Sequence, residues 1–402
     1  MDLLGQEINN KKDSTSKKKK MVLISLVFCI IMLVILLAVI FVLSKEQKPV
    51  SQKLIIDNTE VQLTEGLIVA DEGGNKYISL ESGAELIGYK FFNGEYGKNE
   101  EDKDKCYLQS SDEVIGFELD SNEVYKIVLD NNIEAQIYTI DKNIIKYNDK
   151  LYIAINDFSK SCNLTMSNDG GNINLKSNKF LSEEYLATIK EQNKYTSISN
   201  EYENLKAIYY GMLVVNDGKN YGVVDLNMST IIGAKYSNII FDEYTQNFIA
   251  TSNNKCGVLS KKGTVEIDFK YDSIRIIKYS PLLYEVKQNN KYGVLDEDGN
   301  IVINTEYDKL GYNSTSNDIG SVLIIEDIDN KEDGMVVCKN GKYGIINIKT
   351  GKVILNCELQ RIYSKISEDD EITYYVQTEN QEEYLLEKYI KDINTTVVNL
   401  QN

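Results

Sequence analysis

The stretch Lys291-Tyr292-Gly293-Val294-Leu295, the turn Asp296-Glu297-Asp298-Gly299 and then Tyr307-Asp308-Lys309-Leu310 share a skeleton that this 402-residue chain repeats. The leading phrase returns as Tyr221-Gly222-Val223-Val224, Cys256-Gly257-Val258-Leu259 and Tyr343-Gly344-Ile345-Ile346. A second Tyr stands 15 residues on in three copies, as Tyr236, Tyr271 and Tyr307, while Leu359 stands 16 on in the fourth. Three residues further each copy has an aliphatic: Ile239, Ile274, Leu310 and Ile362. Two anchors held at one offset over four copies are a structural period, and a period decides architecture ahead of local propensity.

Each copy reads as four short strands, in the third near 292–296, 300–304, 308–312 and 335–339. Asp296-Glu297-Asp298-Gly299 has the composition of a tight hairpin turn. Successive Gly anchors lie 35, 36 and 51 residues apart, compact for propeller blades of about 40–45 residues. Tyr202, Leu205 and the strand 211–215 read as the second half of a copy, and 384–387 with 395–398 as the first half of another. Joined, they would close a ring without exposed sheet edges. The expectation is a five- or six-bladed β-propeller; the alternative is an open β-solenoid, which needs caps at its ends.

These units resemble the WG repeat of bacterial proteins: Lys-Trp-Gly-aliphatic, a turn with Gly, then Tyr-Asp-x-aliphatic. Lys291-Tyr292-Gly293-Val294 with Tyr307-Asp308-Lys309-Leu310 fits, as does Lys255-Cys256-Gly257-Val258 with Tyr271-Asp272-Ser273-Ile274, and so does Lys342-Tyr343-Gly344-Ile345. Every Trp is replaced, by Tyr or Cys. The resemblance covers about 200 residues and implies a β-repeat interaction scaffold without a reaction.

Ahead of the repeats, residues 53–178 read as a small α+β domain. Lys76-Tyr77-Ile78-Ser79-Leu80 leads into a short helix that Ser79 suits as N-cap and Gly88 as the left-handed end. A similar phrase returns at Leu151-Tyr152-Ile153-Ala154-Ile155, before Asn156-Asp157-Phe158-Ser159. This doubled phrase resembles the copper amine oxidase N-terminal-like domain of bacterial surface proteins, with Ile87-Gly88 closing the first copy and Cys162-Asn163 in that place in the second. The resemblance implies a stalk or binding module; the family name implies no copper here, because the chain has no His. Residues 179–200 read as a connector in which Ser182-Glu183-Glu184 starts a short helix, and 201–402 as the repeat domain.

The chain opens with a basic tail, residues 1–20, carrying six Lys against three acids. Residues 21–44 are uncharged and apolar, about 36 Å as a helix, enough to cross a hydrocarbon core of roughly 30 Å. The stretch is longer than a signal-peptide apolar region and lacks a small-x-small site, so the expectation is an uncleaved signal anchor followed by a linker at 45–52. Lysine bias puts the N-terminus in the cytoplasm and the bulk of the chain outside the cell.

Taking the tail from totals of 44 basic and 61 acidic residues leaves 38 and 58, a net charge of −20 outside. Such a surface repels phosphate backbones, so nucleic acid is not an expected partner. The absence of His removes Ser-His-Asp and Cys-His catalysis and His-dependent metal sites. Five Cys lie beyond the apolar stretch, an odd number with no CxxC, which leaves at most a pair such as Cys106 with Cys162 to be bridged. No cofactor is expected.

The third copy carries about fifteen extra residues, among them Asp327, Asp329, Glu332 and Asp333. An insertion in one repeat maps to a loop on one face, so these four are the candidate ligand-binding residues. The acids of 296–298 read as a turn, because Lys261-Lys262-Gly263 and Lys349-Thr350-Gly351 fill the same slot elsewhere. Tyr209, Tyr210, Tyr279, Tyr312, Tyr374 and Tyr375 fall off the period and are candidates for an exposed surface. The functional expectation is a single-pass, membrane-anchored, non-catalytic binding scaffold of the cell envelope. Its ligand would be wall polysaccharide, peptidoglycan or a protein. Alternatives are a surface glycan hydrolase using paired carboxylates, which need no His, and a sensor with a cytoplasmic partner.

Overall fold

The computed structural model describes residues 53–401 apart from 99–101, 130–134, 192–193, 317–318, 330–331 and 368–370. The tail, apolar stretch and linker of residues 1–52 fall outside this set, and among the described residues no helix is long and apolar enough to cross a membrane. The chain is mostly β, built as many small sheets.

The N-terminal domain holds three of them. In one, the doubled phrase forms the central pair: Lys150–Ala154 runs antiparallel to Lys76–Ser79, with Tyr152 opposite Ser79 and Ala154 opposite Tyr77. Each strand runs straight into a short helix, α1 (Leu80–Leu86) and α2 (Ile155–Ser161). Ser79 Oγ accepts from Ser82 N–H at 3.4 Å, and Gly88 follows α1 at φ +82°. A second sheet sets Leu54–Ile56 parallel to Asn172–Lys176. The third is a five-stranded meander from Lys90–Asn93 to Gln136–Thr139. Leu54, Ile78, Leu80, Leu108, Phe117 and Phe158 from all three meet in one core. Cys106 and Cys162 are both buried in it, and both are free thiols, so this one pair open to bridging is not bridged.

Five sheets follow, each from a contiguous segment. The first pairs Ser197–Ile198, Met212–Asn216, Tyr221–Asp225 and Thr230–Tyr236 in order. The second runs Asn238–Phe241, Phe248–Ser252, Lys255–Leu259, Val265–Tyr271, and the third Ser273–Tyr279, Leu282–Gln288, Lys291–Leu295, Ile301–Tyr307. The fourth spans Lys309–Leu310 to Val353–Leu359, and the fifth has three strands, Arg361–Ile366, Ile372–Gln377 and Glu383–Leu385. The tyrosine-glycine strand is thus third in its sheet, and the Tyr-Asp-x-aliphatic phrase crosses into the next one. A copy delimited from 292 to 339 straddles two sheets.

The offset of 15 is a cross-strand pair: Tyr221 faces Tyr236, Cys256 faces Tyr271, and Tyr292 faces Tyr307. In the fourth copy Ile346 pairs with Val353 where Leu295 pairs with Ile301, one more residue in the turn, which moves the partner of Tyr343 to Leu359. Between these pairs the fourth strand bulges, and its backbone crosses over the glycine of the third. A Cβ on Gly293 would lie 2.6 Å from the Ile303 carbonyl oxygen, and on Gly344 2.5 Å from that of Leu355. Only a residue without a side chain admits this crossing.

Successive side chains of a strand point to opposite faces, and both faces are apolar here. Val214 and Phe248 join the first sheet to the second, Val258 and Val286 the second to the third, Val294 and Val337 the third to the fourth, and Val336 and Ile362 the fourth to the fifth. One lysine–aspartate device recurs at the joints. Lys255 bonds Asp272 at 2.6 Å and Lys291 bonds Asp308 at 2.5 Å. The second carboxylate oxygen of each Asp takes a backbone N–H from the next sheet's hairpin, Asn289 or Asn340.

The ends differ from the sequence expectation. The connector is a longer helix, α3 (Asn178–Glu191), which begins before Ser182 because Ser177 takes Phe180 N–H on its side chain and Leu181 N–H on its carbonyl. Its Leu181 and Ile189 cover Leu213, Val215 and Val224 on the outer face of the first sheet. Tyr202 and Leu205 lie in a helix, α4 (Tyr202–Lys206), where the Asn204 amide replaces a strand pairing by bonding Ile239 O and Phe241 N–H of the second sheet. Residues 395–398 continue α5 (Leu386–Gln401): Leu386, Tyr389 and Ile390 have helical spacing and pack on Val376. No pairing joins residues 202–215 to 384–398, so the shared blade is not formed. Among the described residues no core cluster links the fifth sheet to the first.

Gly293→Ala is expected to cost about 1–3 kcal/mol by overpacking, read as a lower urea midpoint; an unchanged midpoint would show that the bulge can yield. Truncation after Gln381 is expected to speed hydrogen exchange in the fifth sheet while Met212–Asn216 stays protected. Equal loss at both ends would demand contact between them.

Candidate functional site

The insertion of the third copy supplies one wall of a groove between the third and fourth sheets. Its first part, after the fourth sheet's short leading strand, folds back so that Tyr312 bridges Val322. Its second part is a hairpin, Ile324–Asp329 against the start of Glu332–Lys339. The hairpin's return strand sets Glu332 and Asp333 over a cavity of about 370 Å³, opposite the turn of the third sheet. The floor is apolar, from Leu282, Leu283, Val302 and Ile348, and the rim carries Asp296, Glu297, Asp298, Glu332, Asp333 and Lys349.

Two of the four candidate acids therefore meet at this groove. Glu332 pairs with Lys349 at 3.0 Å and accepts from Asn347 Nδ2 at 2.7 Å. Those contacts, the Asn347 hydrogen bond first, hold its carboxyl below the ordinary glutamate range. Asp333 faces the buried Lys278 ammonium at 3.3 Å and accepts from the Asp327 N–H at 3.3 Å. Asp327 is exposed with φ +52° and does not line the cavity. Asp329 pairs with Glu332 through the backbone of the hairpin. Lys278 and Asn347 went unread in the sequence and Lys349 was read only as a turn residue, because their partners lie 15 to 55 residues away with no local pattern.

The 296–298 acids are a turn, and more. Asp296 Oδ1 accepts from Asp298 N–H and Asn300 N–H, with Gly299 at φ +78°. Asp225 and Ser260 hold the matching turns of the first two sheets by the same bonds, and Asn347 holds the longer turn of the fourth by accepting from Lys349 and Thr350 N–H. Glu297 and Asp298 are left on the rim, with no salt bridge among the described residues. Among the described residues no three His, Cys, Asp or Glu side chains converge as metal ligands.

A second groove, about 540 Å³, runs over the leading strands of the third to fifth sheets and is lined by Arg275, Asn313, Ser321, Ser364 and Tyr374. Gly320 N–H bonds Ser364 O at 2.7 Å, which ties the insertion to the fifth sheet. Arg275 is clamped by both oxygens of Glu285, each at 2.7 Å. The six off-period tyrosines are half-buried. Five of them pack against other rings, Tyr209 on Tyr210, Tyr210 on Phe241, Tyr279 on Tyr244, Tyr312 on Tyr343 and Tyr375 on Tyr363.

No curated protein matches this sequence. Among solved structures, apo AztD from Citrobacter koseri aligns at 10% identity over 74% of this chain and 93% of its own, with a TM-score of 0.23. Kuenenia stuttgartiensis hydrazine synthase aligns at 11% over 42% of this chain and 53% of that one, TM-score 0.19. The dihydro-heme d1 dehydrogenase NirN in complex with DHE aligns at 11% over 71% and 67%, TM-score 0.22. At such identities and scores nothing about ligand or chemistry passes to this chain. The family described as "WG containing repeat" matches residues 257–292 and 292–322. Its two windows open on the bulge-crossed glycine strands of the second and third sheets, so residues 257–322 are similar to that family, with Cys256 and Tyr292 before the glycines.

Proposed function

We propose that this chain is a non-catalytic binding scaffold of the cell envelope, held by residues 21–44 in the cytoplasmic membrane with the remainder outside. The N-terminal domain is a copper amine oxidase N-terminal-like module, for which the paired strand–helix phrases speak. The five sheets are propeller-type blades in an arc, ended by α3 and α5. One observation carries the binding reading: five rim carboxylates from two sheets surround an apolar floor with a single lysine among them. That combination suits a partner with positive charge on a partly apolar body, such as an amine-bearing wall glycan, peptidoglycan or a basic protein segment.

Three of these carboxylates argue against a part in hydrolysis. A general acid needs a raised pKa, whereas Glu332 is lowered, and Asp333 and Asp296 are committed to Lys278 and to turn amides.

The full chain in detergent is expected to retain isolated wall material or basic peptide in a salt-sensitive manner. Glu297→Gln and Asp298→Asn should each weaken capture by up to about fivefold, roughly 1 kcal/mol. Salt-insensitive capture, or none, sinks the reading. Protease added to wall-stripped intact cells should digest all but the first segment; survival of the repeats with loss of the tail would reverse the topology.

A further inference from the structure

Four charged side chains meet where the N-terminal domain touches the repeats. Glu113 and Lys126 stand on neighbouring strands of the meander, Glu113–Glu118 and Glu123–Val128. Lys206 ends α4, and Glu243 follows the leading strand of the second repeat sheet. Lys126 Nζ lies 3.3 Å from Glu113 and 3.0 Å from Glu243, and Lys206 Nζ lies 3.4 Å and 2.5 Å from the same two carboxylates. All four side chains are at most 11% exposed. Each cation touches an anion of its own domain and one of the other, so each domain alone keeps one ion pair but loses both cross-domain contacts and the burial that the other domain supplies.

The surroundings hold the square in place. Tyr89 donates to Glu113 at 2.6 Å, Asn163 Nδ2 to Glu243 at 3.1 Å, and the Tyr202 ring lies 4.4 Å from the Lys206 ammonium. Burial alone would raise both carboxyls. The two lysines outweigh it, holding Glu113 below the ordinary range and Glu243 at about 2, while the two carboxylates push Lys126 well up. A second seam lies at the chain connection. Asp57 of the N-terminal domain takes Ser177 N–H and Oγ–H, both at 2.7 Å, immediately before α3, and α3 is itself the cover of the first repeat sheet.

We propose that this four-charge square and the α3 seam fasten the N-terminal domain and the first two repeat sheets into one cooperative unit of fixed orientation. The N-terminal domain is then a rigid base and not a flexible stalk, and whatever the repeats hold is presented at one angle to it. Apolar packing allows sliding between surfaces, whereas a buried charge square penalises every register but one.

Native-state hydrogen exchange on the full chain in denaturant tests this. The amides of Glu113–Glu118 and Met212–Asn216 are expected to exchange through one common opening, with the same denaturant dependence. Glu243→Gln should split them into separate openings, the Glu113–Glu118 amides exchanging at least tenfold faster than before. Two separate openings in the natural protein would overturn the proposal. Because a single removal leaves a buried charge that can disturb folding by itself, a second variant replaces the square with apolar residues of similar size: E113L/K126M/K206M/E243L. It should keep each set of amides protected but let them open independently. A common opening that survives in this variant would show that packing, and not charge, makes the joint.

Discussion

A sheet of three to five strands with aliphatic side chains on both faces has no stable existence by itself, since each face leaves apolar area in water at about 25 cal/mol per Å². Every repeat sheet here is of that kind. Leu213, Val214 and Val215 alternate between α3 and the second sheet, and Val336 and Val337 between the fifth and third. Stacking is therefore obligatory, and it sets everything else: the bulge that shapes each sheet, the turn that meets its neighbour, and the helices needed where the stack stops. The stability of the domain resides in the joints between sheets.

The same constraint explains where the groove lies. Regular copies fill the space between neighbouring sheets with their own strands. The fourth sheet leads with only Lys309–Leu310, and the third copy's insertion must close the gap by another route. A folded-back loop and a hairpin do so less tightly than a strand. The open spaces on either side of the fourth sheet's leading strand are the result, so the irregular copy and the recessed surface have one cause.

Much of this was legible because it is local. The Tyr–Tyr offset is a cross-strand pair, the glycine is a crossing, and the turn acids bond their own backbone, so all three leave fixed spacings in the sequence. The phase of the sheets was not legible, because a period has no intrinsic starting point. The terminal halves were misread for a related reason: Tyr202 and Leu205 have the right letters, but Asn204 bonds across to Ile239 from a helix and removes the need for a strand. Glu113, Lys126, Lys206 and Glu243 span 130 residues with no spacing to announce them. Of the four candidate acids, the hairpin's direction decided that Glu332 and Asp333 face the groove.

The turn glycines add a consequence for how such a chain changes over generations. A Cβ on Gly299 would lie 3.3 Å from Ile267 in the sheet before it, and on Gly351 2.6 Å from the Val302 carbonyl oxygen. Each hairpin is thus a plug, and the fourth strand of the preceding sheet is its socket. Because the sequence period is offset from the sheet, any duplicated stretch of one full period carries one plug and one socket wherever it is cut. Lengthening such an array by whole periods keeps every plug with a socket, whereas a gain or loss of half a period leaves a plug without one.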